Sequence, residues 1–221
     1  MTLAIFDVDG TLVRGSSERQ FWRFLALSGR QGPTQLVAFA LFLVRYLPTG
    51  GVHTLKKNKA YLTGLETTQV ASLAREFVES ELVHSLYAPA VARLKQHLQN
   101  GHTVVLLSGT IDPVARALAE HLGVRHVCAT LCAQRHGRYL AQPPEIHPFG
   151  AAKLALATQL ALELGLDLRQ ASAYGDSAQD LYLLEAVGTA VAVLPDRVLY
   201  ARALEKDWEI LDAAVGRSLA R

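Results

Sequence analysis

Four short apolar runs, Leu3–Val8, Thr103–Leu107, Ala171–Tyr174 and Ala190–Val193, are each followed closely by Gly, Ser, Asp or Pro. Short apolar runs of this kind, bounded by turn residues, are what strands buried on both faces require. Helical periodicity fills three intervals beside them, Pro113–Leu122, Lys153–Leu164 and Ala178–Ala186. Strands alternating with helices predict an α/β protein with a doubly wound parallel sheet, since each crossover has to return the chain to the same edge. Two regions break the alternation. From about Val13 to about Tyr87 the pattern is helical without a convincing strand, which reads as an insertion after the first strand. From about Val127 to Glu145 the segment containing RHGRY reads as a β-hairpin.

The 221 residues suit one core domain plus an insertion, with boundaries at 1–13 and 88–221 for the core and 14–87 for the insert. Half the residues are apolar and 19% are charged, enough to bury a core without disulfides or structural metal. A net charge of +2 with dispersed Lys and Arg gives no basic field, so no nucleic-acid partner is expected. Cys128 and Cys132, flanked by His126 and His136, lack the CxxC or HxxxH spacing of zinc sites and read as two reduced core thiols, with zinc as the alternative. MTLAIF is too short an apolar run before Asp7 for a signal peptide, and a cytoplasmic enzyme is expected, monomeric or homodimeric. Leu36–Val44, closed by Arg45, falls short of the roughly 20 residues of a membrane span, so no membrane span is expected. It reads as a packed helix, the alternative being the lining of a pocket for an apolar substrate tail. Lys56, Lys57 and Lys59 read as a solvated helix face, against the alternative of an anion-facing patch.

Four short motifs carry chemistry. In FDVDGTL, Asp7 and Asp9 end a strand, where open α/β sheets place their ligands; the alternative is a simple Asp-Gly turn. An EF-hand loop is excluded, because Gly10 falls at the fourth position of the DxD run instead of the sixth. One carboxylate can attack phosphorus to form an acyl phosphate while the other moves protons. In LLSGT, Ser108 offers a hydroxyl, and the N–H groups of Gly109 and Thr110 are placed to face an oxyanion near a helix start. Lys153 can neutralise phosphate and hold a carboxylate ionised, although alone it reads as a solvated helix lysine and takes its weight from the other motifs. In YGDSAQDLYLL, Asp176 suits Mg²⁺, which takes one or two carboxylates with phosphate and water; the alternative is a helix cap. Asp180 can orient that cap or a metal-bound water.

In this order the four motifs resemble those of the haloacid dehalogenase superfamily, in the branch similar to phosphoserine phosphatases. The likeness covers nearly the whole chain, including VAVLPDRVLYARALEKDWEIL. It implies a Rossmann-like core with a helical cap inserted after the first strand, and a Mg²⁺-dependent phosphatase acting on a small-molecule phosphate ester. By the same resemblance Asp7 is the nucleophile and Asp9 the acid/base, while Ser108, Gly109 and Thr110 hold the phosphoryl group. Lys153 pairs with Asp7 and the phosphoryl group; Asp7, Asp176 and the Asp9 carbonyl take the metal, supported by Asp180. The chain departs from that branch at Ser177 and Gln179, where a GDGxND motif has Gly and Asn. The branch also carries a substrate-binding Glu soon after the first motif; the nearest acid is Glu18, at a slightly different spacing. Phosphotransfer to an alcohol or sugar with the same nucleophile, and a non-catalytic phosphate-binding protein, are the rival readings. A dehalogenase has no use for Asp9 as acid/base.

Overall fold

The computed structural model describes residues 2–50, 54 and 57–212. A six-stranded, all-parallel sheet forms the centre, in the order β3-β2-β1-β6-β7-β8. Its strands are β1 (Leu3–Phe6), β2 (Thr103–Ile111), β3 (His126–Thr130), β6 (Ser172–Gly175), β7 (Thr189–Val193) and β8 (Glu209–Leu211). The four runs read as strands are all present, and the α/β class follows.

Side chains alternate across β1 and divide the core. Ala4 and Phe6 face one apolar cluster with Leu106 and Leu118, while Leu3 and Ile5 face a second with Val105, Ala157 and Leu183. The second cluster is covered by α6 (Ala151–Glu163), α7 (Leu181–Leu184) and α8 (Arg197–Glu205). The first is covered by α4 (Ala88–Gln99) and α5 (Asp112–Leu122), together with two helices from the long stretch between β1 and β2. These are α1 (Ser17–Leu27) and α3 (Thr67–Ser80), whose Phe21, Phe24 and Phe77 rings meet at centroid distances of 5.3 to 6.2 Å. The chain leaves and re-enters the sheet domain at one place, where Val13 bridges Leu86, Arg14 N–H donates to Ser85 O, and Tyr87 N–H donates to Leu12 O.

One expectation is narrowed and two are corrected. The segment read as a hairpin begins with β3, which pairs parallel to β2 and extends the main sheet. Only β4 (Gln134–Arg135) and β5 (Arg138–Tyr139) form a hairpin, closed by His136 and Gly137 at φ of 51° and 72°, both left-handed as a type I′ turn demands. Leu36–Val44 lies in α2 (Pro33–Gly50) and is not packed inside: Phe42 and Ala38 are buried, but Leu36, Val37, Phe39, Leu41 and Val44 are exposed. Of the three lysines read as a solvated face, Lys57 is exposed, Lys59 is buried, and Lys56 lies outside the described residues. Among the described residues, no helix is long and apolar enough to cross a membrane. Cys128 and Cys132 are free thiols, and burial pushes both upward, Cys132 to about 12.

Candidate active site

The strand order reverses at β1, since β2 and β3 lie on one side of it and β6 to β8 on the other. Open α/β sheets form a crevice at the carboxyl ends of the strands beside such a point. The sequence motifs fall there, because Asp7 follows β1, Ser108 lies in β2 and Asp176 follows β6. They line one cavity of about 440 Å³ together with Asp9, Lys153 and Asp180.

Asp7 continues the strand, its N–H donating to Tyr174 O at 3.0 Å, and the chain then turns sharply, with Val8 O accepting from Leu12 and Val13 at 2.9 Å each. The turn needs Gly10, whose φ of +82° is left-handed and whose Cβ, if present, would stand 2.0 Å from Asp176 Oδ2. Gly175 is required for a similar reason, since a Cβ there would lie 2.6 Å from the Asp180 side chain. Gly10 therefore lets the two acidic loops approach each other, and Gly175 lets Asp180 fold back under its own loop.

Lys153 is 4% exposed, and its Nζ donates to Asp7 Oδ1 at 2.7 Å and to Asp180 Oδ1 at 2.5 Å. Asp180 Oδ2 accepts from the N–H groups of Asp176 and Ser177 at 3.2 Å each, so one carboxylate aligns both the lysine and the loop that carries Asp176. Ser177, in place of the family's glycine, sits in extended backbone at φ −138° and forms a capping box with Asp180, which glycine has no side chain to make.

Burial pushes the Asp7 carboxyl up to about 6, against the opposing attraction of Lys153. Burial would lower the Lys153 ammonium, but Asp180 and Asp7 outweigh it and raise it above the ordinary lysine value. Burial, and then the charges of Asp7 and Asp180, push Asp176 up to about 8. Ligand atoms of Asp7, Asp176 and Asp180 lie within 4.8 Å of one another. Three crowded carboxyls against a single ammonium leave an excess of negative charge, and hard oxygen donors of this kind suit Mg²⁺. Asp180 is engaged on both oxygens, by Lys153 and by the loop, which leaves Asp7 and Asp176 as the better-placed donors.

Asp9 is held differently. Its Oδ1 accepts from Ser17 N–H at 2.9 Å, at the first residue of α1, and from the Thr110 hydroxyl at 3.2 Å. With the Thr110 proton spent on Asp9, the Ser108 hydroxyl donates to Thr110 Oγ1 at 3.2 Å, and Ser17 Oγ lies 3.0 Å from the same atom. Gly109 and Thr110 do not begin a helix, because β2 runs on to Ile111; the Thr110 N–H meets Ser108 Oγ at 3.3 Å. Gly109 O is instead pinned by the Thr130 hydroxyl at 2.6 Å, which leaves that oxygen to accept from His147 Nδ1 at 3.0 Å.

Glu18, in the first turn of α1, lines the cavity, and its carboxylate is bound by Lys59 in an ion pair whose side chains are 23% and 5% exposed. Ser17 and His147 are site neighbours that the sequence motifs do not mark, while Lys59, read as a solvated lysine with an anion-facing patch as the alternative, lines the cavity. The run Gly15-Ser16-Ser17-Glu18 did carry a capping signal for the helix that presents Ser17 N–H.

The family model described as haloacid dehalogenase-like hydrolase matches residues 4–185. A putative hydrolase of Mycobacterium leprae is 30% identical, the match covering 99% of this chain and 75% of the relative. A Mycobacterium tuberculosis protein named phosphoserine phosphatase SerB1 is 29% identical, covering 99% and 73%. A crystal structure of a Bordetella pertussis protein with unknown function is similar at a TM-score of 0.80 and 28% identity, over 96% of this chain and 99% of that one. With the family model spanning most of the chain and the motif residues gathered in one crevice, the chain belongs to the haloacid dehalogenase-like hydrolases.

Proposed function

We propose that this chain is a phosphatase that hydrolyses a small phosphate monoester through an aspartyl-phosphate on Asp7, with residues 14–87 serving as a cap over the site. The observation that carries the reading is the different treatment of two carboxylates two residues apart. Asp7 is buried against the Lys153 ammonium, which favours its ionised, nucleophilic form. Asp9 is oriented by the α1 N-terminus and Thr110 instead of by that lysine, as suits a group that gives and takes a proton.

In the first step an Asp7 oxygen forms a bond to phosphorus as the ester P–O bond breaks, and the departing alcohol oxygen takes a proton from Asp9. In the second, water attacks phosphorus, the bond to Asp7 breaks, and Asp9 recovers its proton from the water. Ser108 and Lys153 hold the phosphoryl oxygens between the two steps. Asp7, Asp176 and the Asp9 carbonyl would hold Mg²⁺, which supplies positive charge to offset the phosphate and the crowded carboxylates.

The test is a panel of phosphate monoesters assayed with Mg²⁺, reading both phosphate and alcohol. Equal release of the two is expected, and alcohol in excess of phosphate would instead mean transfer to another acceptor. Asp7→Asn should fold normally and lose turnover by several orders of magnitude, because an amide cannot form the acyl phosphate. More than a few per cent of residual activity on an aryl phosphate would remove Asp7 from the role.

A further inference from the structure

The central cavity continues beyond the carboxylates. Ser16, Glu18, Arg19 and Lys59 line it and also line a second space of about 310 Å³. Trp22, Phe39 and Tyr61 line that second space and a third of about 300 Å³, where Leu36, Gln31, Gly32 and Gln35 join them. The three spaces share lining residues in succession, which sets an apolar end, walled by α1 and α2, next to the phosphate site.

The chemistry changes from one to the next. At the neck, the part-buried Glu18 and the buried Lys59 neutralise each other in an ion pair, so this carboxylate has a cation from its own chain. A substrate ammonium would have to displace Lys59 and leave a buried lysine unpaired, which is costly. Past the neck, two aromatic side chains stand with large apolar surface in water, Trp22 at 47% and Phe39 at 43% exposed. Large apolar side chains left exposed beside a catalytic cavity are the usual lining of a ligand site.

We propose that the alcohol of the substrate is apolar and carries no ammonium group, its hydrocarbon part passing the Glu18–Lys59 pair to lie between Trp22, Phe39 and Tyr61. The inference rests on the phosphatase reading above and narrows it to a substrate class. Phe39 and Trp22 are then specificity residues, contributed by the helices between β1 and β2. The Glu18–Lys59 pair is the feature that rejects phosphorylated amino acids.

A series of straight-chain alkyl phosphates from ethyl to octyl, with phosphoserine alongside, tests this in the presence of Mg²⁺. The ratio kcat/KM should climb about threefold per added methylene while the apolar end has room, a little under the full transfer value of a buried methylene. Phosphoserine should be turned over no better than ethyl phosphate. Phe39→Ala should cut the octyl-to-ethyl ratio about tenfold, and Phe39→Leu, which keeps apolar bulk, should retain most of it. A flat profile from an active enzyme, a preference for phosphoserine, or an unchanged octyl-to-ethyl ratio in both Phe39→Ala and Trp22→Ala would overturn the inference and leave the phosphatase reading standing. Inactivity towards every ester would overturn the phosphatase reading itself.

Discussion

Gly10 and Asp176 approach so closely that a single methyl on the glycine would overlap the carboxylate, with Cβ 2.0 Å from Oδ2. The glycine also holds φ at +82°, where an L side chain is strained. Gly10→Ala should therefore push apart the loops bearing Asp7 and Asp176. A displacement of about 1 Å in such a site can cost about 100-fold in rate, and a loss of that order in kcat/KM is expected, with weakened Mg²⁺ dependence. Wild-type kinetics in this variant would mean that the two loops do not need to touch.

Asp176→Asn should raise the stability of the metal-free protein at high pH while removing a metal donor. The folded pKa of Asp176, about 8, lies above the ordinary value of 3.8, so the folded protein holds a proton that the unfolded chain releases. The associated stability is present below about 3.8 and is lost as pH rises through about 8. Metal-free protein should melt lower at pH 8.5 than at pH 6.5, and the asparagine variant should reduce that difference. At pH 8.5 its Tm should exceed wild type by about 2–4 °C, which is what about 1 kcal/mol is worth at this chain length. Mg²⁺ should stabilise the wild type and leave the variant nearly unchanged. Equal Mg²⁺ stabilisation of both would exclude Asp176 as a ligand.

Lys153→Met removes the attraction that holds Asp7 down against burial. The Asp7 pKa should rise above about 6, so the acid limb of the profile of kcat/KM against pH should move to higher pH. Leaving Asp7 and Asp180 buried without their shared cation should also destabilise the fold by about 3–5 kcal/mol. An acid limb that stays in place would show that Asp7 ionisation does not limit the reaction.

Asp9→Asn should split the two half-reactions. An aryl phosphate needs little protonation of its leaving group, whereas attack by water still needs a base. A burst of phenol near one equivalent should precede slow turnover, with phosphate trapped on Asp7 after acid quenching. An alkyl phosphate should give no burst. Near wild-type rates on both substrates would take the acid/base role away from Asp9.

Much of the sheet was legible because β1, β2, β6 and β7 are buried on both faces and so read as unbroken apolar runs. β3 and β8 were not, since both are edge strands whose half-exposed residues dilute that signal, as His126 and Glu209 do. The motif residues were legible for a related reason, because their spacing depends on strand ends and tight glycine turns, which are local. Lys59 was not, since its partner Glu18 lies 41 residues away in sequence and nothing near either residue announces the pairing. The exposure of α2 was hidden as well: a run as apolar as Leu36–Val44 reads as core unless the neighbouring surface is known, and among the described residues Ala38, Phe42 and Ala60 form a small buried cluster there, with Tyr46 and Ala141 packed against it.

The bridge between Val13 and Leu86 brings the two ends of the helical segment side by side at the rim of the sheet. An excursion that returns to its starting point transmits no change of length to the chain on either side, and lengthening it costs little extra closure entropy. If that excursion walls the substrate as proposed, it can be remodelled without moving the sheet, provided the replacement still covers the Phe6 and Leu106 face. Asp7, Asp176 and Lys153 hang from strands and a helix outside it. The repertoire of molecules admitted can thus diverge between relatives over generations while the atoms that handle phosphorus stay where they are.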